Sequence, residues 1–262
     1  MDLGIAGRKA IVCVSSRGLG RACARALARE GVHVVINGRD LEALERTADE
    51  LRSELGGAGG EITAVAADLD VQEARERLVA ACPEADILVN NNGGPPPGRF
   101  EDWGLEQWRA ALESNLLAPV MMIRALLPGM RERGFGRIVN ITSAMVKAPV
   151  APMGLSTAAR SGLTALCKAI SRDAVRDNVT INNLLPERID TDRQMQMAEG
   201  VSRMRGISVE EARAEQESSI SAGRLGRPDE FADACAFFFS AQASYISGQN
   251  LQIDGGSYPG VV

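Results

Sequence analysis

The stretch from Ile11 to Gly31 constrains this chain more than any other. Ala10-Ile11-Val12-Cys13-Val14 is a short apolar run rich in β-branched residues, the mark of a strand buried on both faces. Ser15-Ser16-Arg17-Gly18-Leu19-Gly20 follows as a small, glycine-bearing turn. From Arg21 to Glu30 the chain is rich in Ala and Arg; Ala22, Cys23, Ala26 and Leu27 share one helical face, and Gly31 stands where a helix cap belongs. A second apolar strand, Val32 to Ile36, completes a βαβ unit. A helix opening beside Gly18 and Gly20 turns free N–H groups and the positive end of its dipole toward an anion. In this strand–turn–helix setting the anion is the pyrophosphate of a dinucleotide, with a tight turn that binds nothing as the alternative.

Composition narrows the class. With 262 residues, 45 % of them hydrophobic, the chain can bury a large core as one α/β domain. A net charge of −5 with mixed signs leaves no basic footprint for nucleic acid. The apolar runs read as too short to span a bilayer, and Met1-Asp2-Leu3-Gly4 lacks the features of a signal peptide, so no membrane partner is expected. Five cysteines (Cys13, Cys23, Cys82, Cys167, Cys235) lie mostly in apolar segments without metal spacing and read as buried thiols in a reducing cytoplasm. No metal site is expected.

The second strand ends in Asn37-Gly38-Arg39. An acid at Asn37 would bond the adenosine ribose and repel a 2′-phosphate; here it is absent, and Arg39 and Arg17 offer cations instead. This argues for NADP over NAD, the alternative being two solvated surface arginines. His33 reads as a packed strand residue. Asp40 caps a helix carrying Leu41, Leu44, Ala48, Leu51 and Leu55, which the glycines from Gly56 to Gly60 break. Ile62 to Ala67 is a third strand, and Asp68 after it meets either the adenine edge or a helix N-terminus. Asp86 to Asn90 is a fourth, running into the rigid loop from Asn91 to Gly98 at the carboxyl ends of the sheet, where open α/β folds bind ligands.

Across nearly its full length the chain resembles a single-domain short-chain dehydrogenase/reductase of the 3-oxoacyl-thioester-reductase type. The family's Thr-Gly-x-x-x-Gly-x-Gly falls on Cys13 to Gly20, and its Asn-Asn-Ala-Gly on Asn90-Asn91-Asn92-Gly93. Its helical Asn falls on Asn115, and its catalytic Ser on Ser143 after the strand Arg137 to Thr142. Its Pro-Gly falls on Pro186-Glu187, with Thr191 where a Thr touches the nicotinamide amide, and its closing strand on Gly248 and Asp254-Gly255-Gly256. The resemblance implies one domain over 1–262: a doubly wound (Rossmann) seven-stranded parallel sheet with helices on both faces and a substrate lid inserted at about 187–225. It implies a cofactor held by Ser15, Ser16, Arg17, Gly18, Leu19, Gly20, Arg39, Asp68, Asn91, Gly93, Pro186, Ile189 and Thr191, a small carbonyl or alcohol substrate, and a homodimer or homotetramer.

Two departures touch binding. Val14 replaces the first glycine, and because a β-branched residue resists positive φ the loop is expected to turn differently, with the Ser15 and Ser16 hydroxyls as phosphate donors. Glu187 replaces the glycine after Pro186. The third departure touches chemistry. Counting thirteen positions on from Ser143, the family's Tyr-x-x-x-Lys falls on Ser156 and Arg160. A phenol near pKa ~10 can be tuned into a working acid, whereas a serine is far weaker and shorter and an arginine holds its proton. Both tyrosines, Tyr245 and Tyr258, lie near the C-terminus and read as too distant to compensate; Lys147 is a substitute acid or a solvated loop lysine.

The lid is polar, partly helical and Met-rich (Met195, Met197, Met204), suited to an adaptable apolar wall or to simple core packing. The helix from Pro228 bears Phe231, Phe238 and Phe239 on an apolar face that suggests a subunit interface. The reading is an NADP-dependent oxidoreductase with catalytic positions Asn115, Ser143, Ser156 and Arg160. Its rivals are a lyase or dehalogenase-type enzyme on the same fold and a non-catalytic NADP-binding sensor or partner subunit.

Overall fold

The computed structural model describes residues 2–57 and 59–261. Strands β1 (Lys9–Val12), β2 (His33–Gly38), β3 (Ile62–Ala66), β4 (Ile87–Asn90), β5 (Gly136–Ile141), β6 (Val179–Pro186) and β7 (Asn250–Ile253) alternate with helices, as parallel strands require. They form one seven-stranded sheet in the order β3-β2-β1-β4-β5-β6-β7, every pair parallel. The helices are α1 (Gly18–Arg29), α2 (Leu41–Leu55), α3 (Gln72–Ala81), α4 (Leu105–Leu112), α5 (Ala118–Glu132), α6 (Gly154–Ala174), α7 (Asp192–Arg205), α8 (Val209–Ser218) and α9 (Pro228–Phe239). This is the doubly wound fold that the sequence pattern predicts.

Each face of the sheet carries its own core. Leu27, Leu44 and Phe231 from α1, α2 and α9 close one side; Leu78, Met122 and Leu163 from α3, α5 and α6 close the other. Local signals act as read: Asp40 accepts a hydrogen bond from the Ala43 N–H at 3.1 Å, and Gly56 ends α2 at φ 58°. The five cysteines are buried free thiols.

Four expectations need correction. His33 is exposed at the mouth of β2, where its Nδ1 accepts from the Glu61 N–H at 3.3 Å. Phe231, Phe238 and Phe239 are buried inside the subunit because α9 packs along α1, which leaves Phe237 as the exposed ring of the run. The segment expected as a lid forms two full helices, α7 and α8, packed on each other, and Met195 and Met204 face outward. Finally, Leu105–Glu132 is one continuous helix long and apolar enough to cross a membrane. It includes a π-helical turn, Glu113–Leu117, and packs against α3, α6 and the sheet as a core helix does.

A row of amides crosses four strands. Asn90 Nδ2 donates to Asn140 Oδ1 at 2.9 Å, Asn140 Nδ2 to Asn183 Oδ1 at 3.0 Å, and Asn183 Nδ2 to Asn250 Oδ1 at 2.8 Å. These residues stand directly opposite one another in register.

Candidate active site

The strand order reverses between β1 and β4, and there the turn after β1 meets the loop after β4. Val14 turns this corner at φ 45°, as the glycine it replaces would, so the expectation of a different turn fails. Two asparagines stabilise the left-handed backbone: Val14 N donates to Asn37 Oδ1 at 3.3 Å, and Val14 O accepts from Asn91 Nδ2 at 2.9 Å. Gly20 is indispensable to this corner, since a Cβ there would lie 2.3 Å from Val14 O and 2.8 Å from Asn91 Nδ2.

Ser15 is fully buried; its hydroxyl donates to Val12 O at 2.7 Å and accepts from Asn37 N at 2.9 Å, so it has no proton left for a phosphate. Asn37 is equally buried, its Nδ2 bridging to Val65 O and Ala67 O. It therefore cannot face a ribose, and the position that does approach the turn is Gly38, whose added Cβ would stand 3.6 Å from Ser16 Oγ. The chain thus has no side chain at all at the discriminating place, with exposed Arg39 next to it. Asp68 accepts from the Asp70 N–H at 3.1 Å in a turn ahead of α3, whose N-cap is Val71, so it does not cap the helix.

Helix α1 opens with no side-chain cap and no acidic residue in its first turn, leaving its leading N–H groups toward a cavity of about 690 Å³. Arg17, Gly18, Leu19, Asn91, Gly93, Pro186, Ile189 and Thr191 all line it, and a Cβ on Gly93 would meet nothing within 4 Å. This cradle fits a dinucleotide: open backbone donors at one end, and a glycine floor with no side chain to obstruct a flat ring. Ser15, Ser16, Gly20, Arg39 and Asp68 lie outside the cavity wall.

The same cavity reaches Ser143, Ser156 and Arg160. Ser143 Oγ accepts from the Met145 N–H at 3.2 Å, which leaves its own proton free. Ser156 and Arg160 sit one turn apart on α6, both buried, and Arg160 Nε donates to Ser156 Oγ at 3.1 Å. Arg160 Nη1 reaches Ile141 O (2.6 Å) and Thr142 O (2.9 Å), and Nη2 reaches Asn92 O (2.8 Å). The pair that replaces Tyr and Lys is therefore a staple between α6, the end of β5 and the loop after β4. Burial pushes the Arg160 guanidinium down to about 10, with Arg193 nearby adding to the effect, so it stays charged at neutral pH. Asn115 lies behind the wall in the π-helical turn, its Nδ2 donating to Gly93 O at 3.3 Å. Its Oδ1 and that of Asn92 are buried without a partner.

Lys147 does not serve the cavity. Its ammonium lies over the Tyr258 ring, 5.6 Å from the centroid, so the C-terminal tyrosine lies closer to the segment after Ser143 than its sequence position suggests. Met197, read from the sequence as part of an apolar wall, does line the cavity, while sequence reasoning missed Arg193 and did not single out Asn92. Asn92 could have been found as the odd residue in its motif.

These features match a family model described as "Enoyl-(Acyl carrier protein) reductase" over residues 13–258. The chain belongs to the short-chain dehydrogenase/reductase family of oxidoreductases. Among its relatives is the NADPH-dependent reductase BacG of Bacillus subtilis (strain 168), 32 % identical over 254 residues, covering 95 % of this chain and 97 % of that one. The 3-oxoacyl-[acyl-carrier-protein] reductase FabG of Aquifex aeolicus is 30 % identical over 98 % of this chain and 100 % of its own. The crystal structure of L-sorbose reductase from Gluconobacter frateurii, complexed with NADPH and L-sorbose, superposes with a TM-score of 0.93 at 28 % identity over 100 % of both chains.

Proposed function

We propose that this protein is an NADPH-dependent reductase of a small ketone, or a dehydrogenase of the matching secondary alcohol, in which hydrogen-bond donors replace the usual acid. One observation carries the reading: a single cavity joins the uncapped start of α1 to Ser143, Ser156 and Arg160. The first N–H groups of α1 would hold the pyrophosphate, Arg39 the 2′-phosphate, and Ile189 with Thr191 the carboxamide. The nicotinamide, when bound, supplies a hydride.

The chain's own residues do the rest. Ser143 and Ser156 each accept a hydrogen bond from a fixed donor, Met145 N and Arg160 Nε, and so aim their hydroxyl protons elsewhere. Two such donors stabilise charge on a carbonyl oxygen in the manner of an oxyanion hole. The Arg160 charge polarises the Ser156 hydroxyl, and the proton that completes the alcohol comes from water. Two aspects of the reading extend past the site: exposed Leu105, Leu112 and Leu117 along one helix and Leu166 on α6 suit self-association into a homodimer or homotetramer, which light scattering at micromolar concentration tests. Reduced, buried cysteines suit a cytoplasmic setting.

A second reading draws on the staple itself. Arg160 spends four of its five N–H groups on neutral acceptors, as a structural residue would. That favours a nucleotide-binding protein without turnover. Fluorescence titration with NADPH, followed by a screen of ketones and 3-oxoacyl thioesters, separates the cases. Binding with turnover supports the reductase, binding alone the sensor, and no binding the lyase or dehalogenase alternative.

A further inference from the structure

The charges of the cavity do not balance. Four arginines line it, Arg17, Arg160, Arg188 and Arg193, against two acids. Arg17 pairs with Asp192 and Arg188 with Glu187, each at 3.6 Å. Among the described residues neither Arg160 nor Arg193 has a carboxylate partner. Burying a guanidinium without a counter-charge costs several kcal/mol even when neutral acceptors satisfy part of it. The two unpaired groups converge on consecutive residues of the loop after β4. A Cβ on Gly94 would lie 3.8 Å from Arg160 Nη2 and 3.7 Å from Ser156 Oγ, and Pro95 O accepts from Arg193 Nη2 at 3.0 Å. Beside them Asn92, 9 % exposed and in the cavity wall, keeps an Oδ1 with no donor. Three of these residues, Asn92, Ser156 and Arg160, are departures from the family pattern, and hydrogen bonds join Arg160 to the other two.

We propose that the substrate is an oxo acid whose carboxylate is held between Arg193 and the remaining Nη2–H of Arg160. The inference rests on the reductase reading for the fate of the carbonyl, and on the unbalanced wall for the acid. A carboxylate fits better than a phosphate because Arg160 has only one N–H to offer, enough for one arm of a two-oxygen acceptor.

The test uses the full-length protein and reads binding before activity. NADPH and NADP are titrated first; then hydroxypyruvate, its methyl ester and pyruvate are titrated by calorimetry into protein with and without NADP. Hydroxypyruvate is expected to bind about tenfold to a hundredfold more tightly than its ester, the worth of one charged hydrogen-bonded contact. Arg193→Gln should erase that margin while leaving ester and NADPH affinities unchanged, and Arg193→Lys should restore part of it. Equal affinities for acid and ester overturn the proposal, as does an Arg193→Gln protein that loses NADPH affinity instead. Failure of NADPH to bind at all removes the reductase reading, while the acid–ester margin in the nucleotide-free protein still decides the anion site.

Discussion

Val14 O and Asn91 Nδ2 meet at 2.9 Å across the place where the strand order reverses, tying the turn after β1 to the loop after β4. The bond holds a β-branched residue in the left-handed region, so it carries strain as well as position. Asn91→Ala should destabilise the fold by about 1–3 kcal/mol, the cost of leaving a carbonyl unpaired. Gly18→Ala should cost about 1–2 kcal/mol, from its φ of 59° alone. Gly20→Ala should cost more than either, because its new methyl would strike the Val14 carbonyl at 2.3 Å. Thermal unfolding of the three variants gives the order, and a mild Gly20→Ala would disprove this account of the corner.

Coenzyme preference should follow the exposed end of β2. NADPH is expected to bind about tenfold to a hundredfold more tightly than NADH, the worth of a charged contact to the extra phosphate. Arg39→Asp should reverse the order. Gly38→Asp should do so too, since that Cβ faces Ser16. Asn37→Asp should instead destabilise the sheet, because Asn37 Nδ2 donates to Val65 O on β3 and to Ala67 O just after it. Titrations at one fixed salt concentration check all three.

The unmodified protein should reduce simple ketones slowly, since lost general-acid help is worth ~10²–10⁴ in rate. Ser156→Tyr with Arg160→Lys should raise that rate, since Ser156 lines the cavity into which the ring would extend. Arg160→Ala alone should unfold the site, orphaning three carbonyls that it now holds. Steady-state rates and melting curves read the two effects separately. A double variant that binds NADPH normally and gains no rate would place the pocket outside ketone chemistry.

Glu187 supplies a pH signature. Burial raises its carboxyl above the usual 4.5, with Asp254 adding to this and Arg188 opposing it. A folded-state pKa above the unfolded one favours folding at low pH and loses that contribution as pH rises through the raised value. Glu187→Gln should therefore melt near wild type around pH 4 and above it at neutral pH. A stability gap that is constant with pH would show that Glu187 ionises without strain.

Periodicity and glycine placement made the sheet, its helices and the Asp40 and Gly56 caps legible, and counting from Ser143 located Ser156 and Arg160. What escaped was direction. In a strand one residue decides the face, so Asn37 points inward while Gly38 approaches the turn. The steric rule against Val14 is sound locally and was overridden by two asparagines distant in sequence, Asn37 on β2 and Asn91 in the loop after β4. Phe238 and Phe239 look like surplus apolar surface until α9 is known to pack along α1. Lys147 appeared available because its neighbour, Tyr258, is 111 positions away in sequence.

The amide row from Asn90 to Asn250 has a consequence for biosynthesis. Its first three members are synthesised well before the last, because Asn250 follows Asn183 by 67 positions. A nascent chain can thus dock β4, β5 and β6 while the amide of Asn183 still waits for its acceptor. Only β7 supplies that acceptor, so a product lacking it leaves the Asn183 amide as an unsatisfied donor at the sheet edge. Chains truncated before Asn250 should consequently be protease-sensitive around β6, which pulse proteolysis of truncated and full-length chains would reveal.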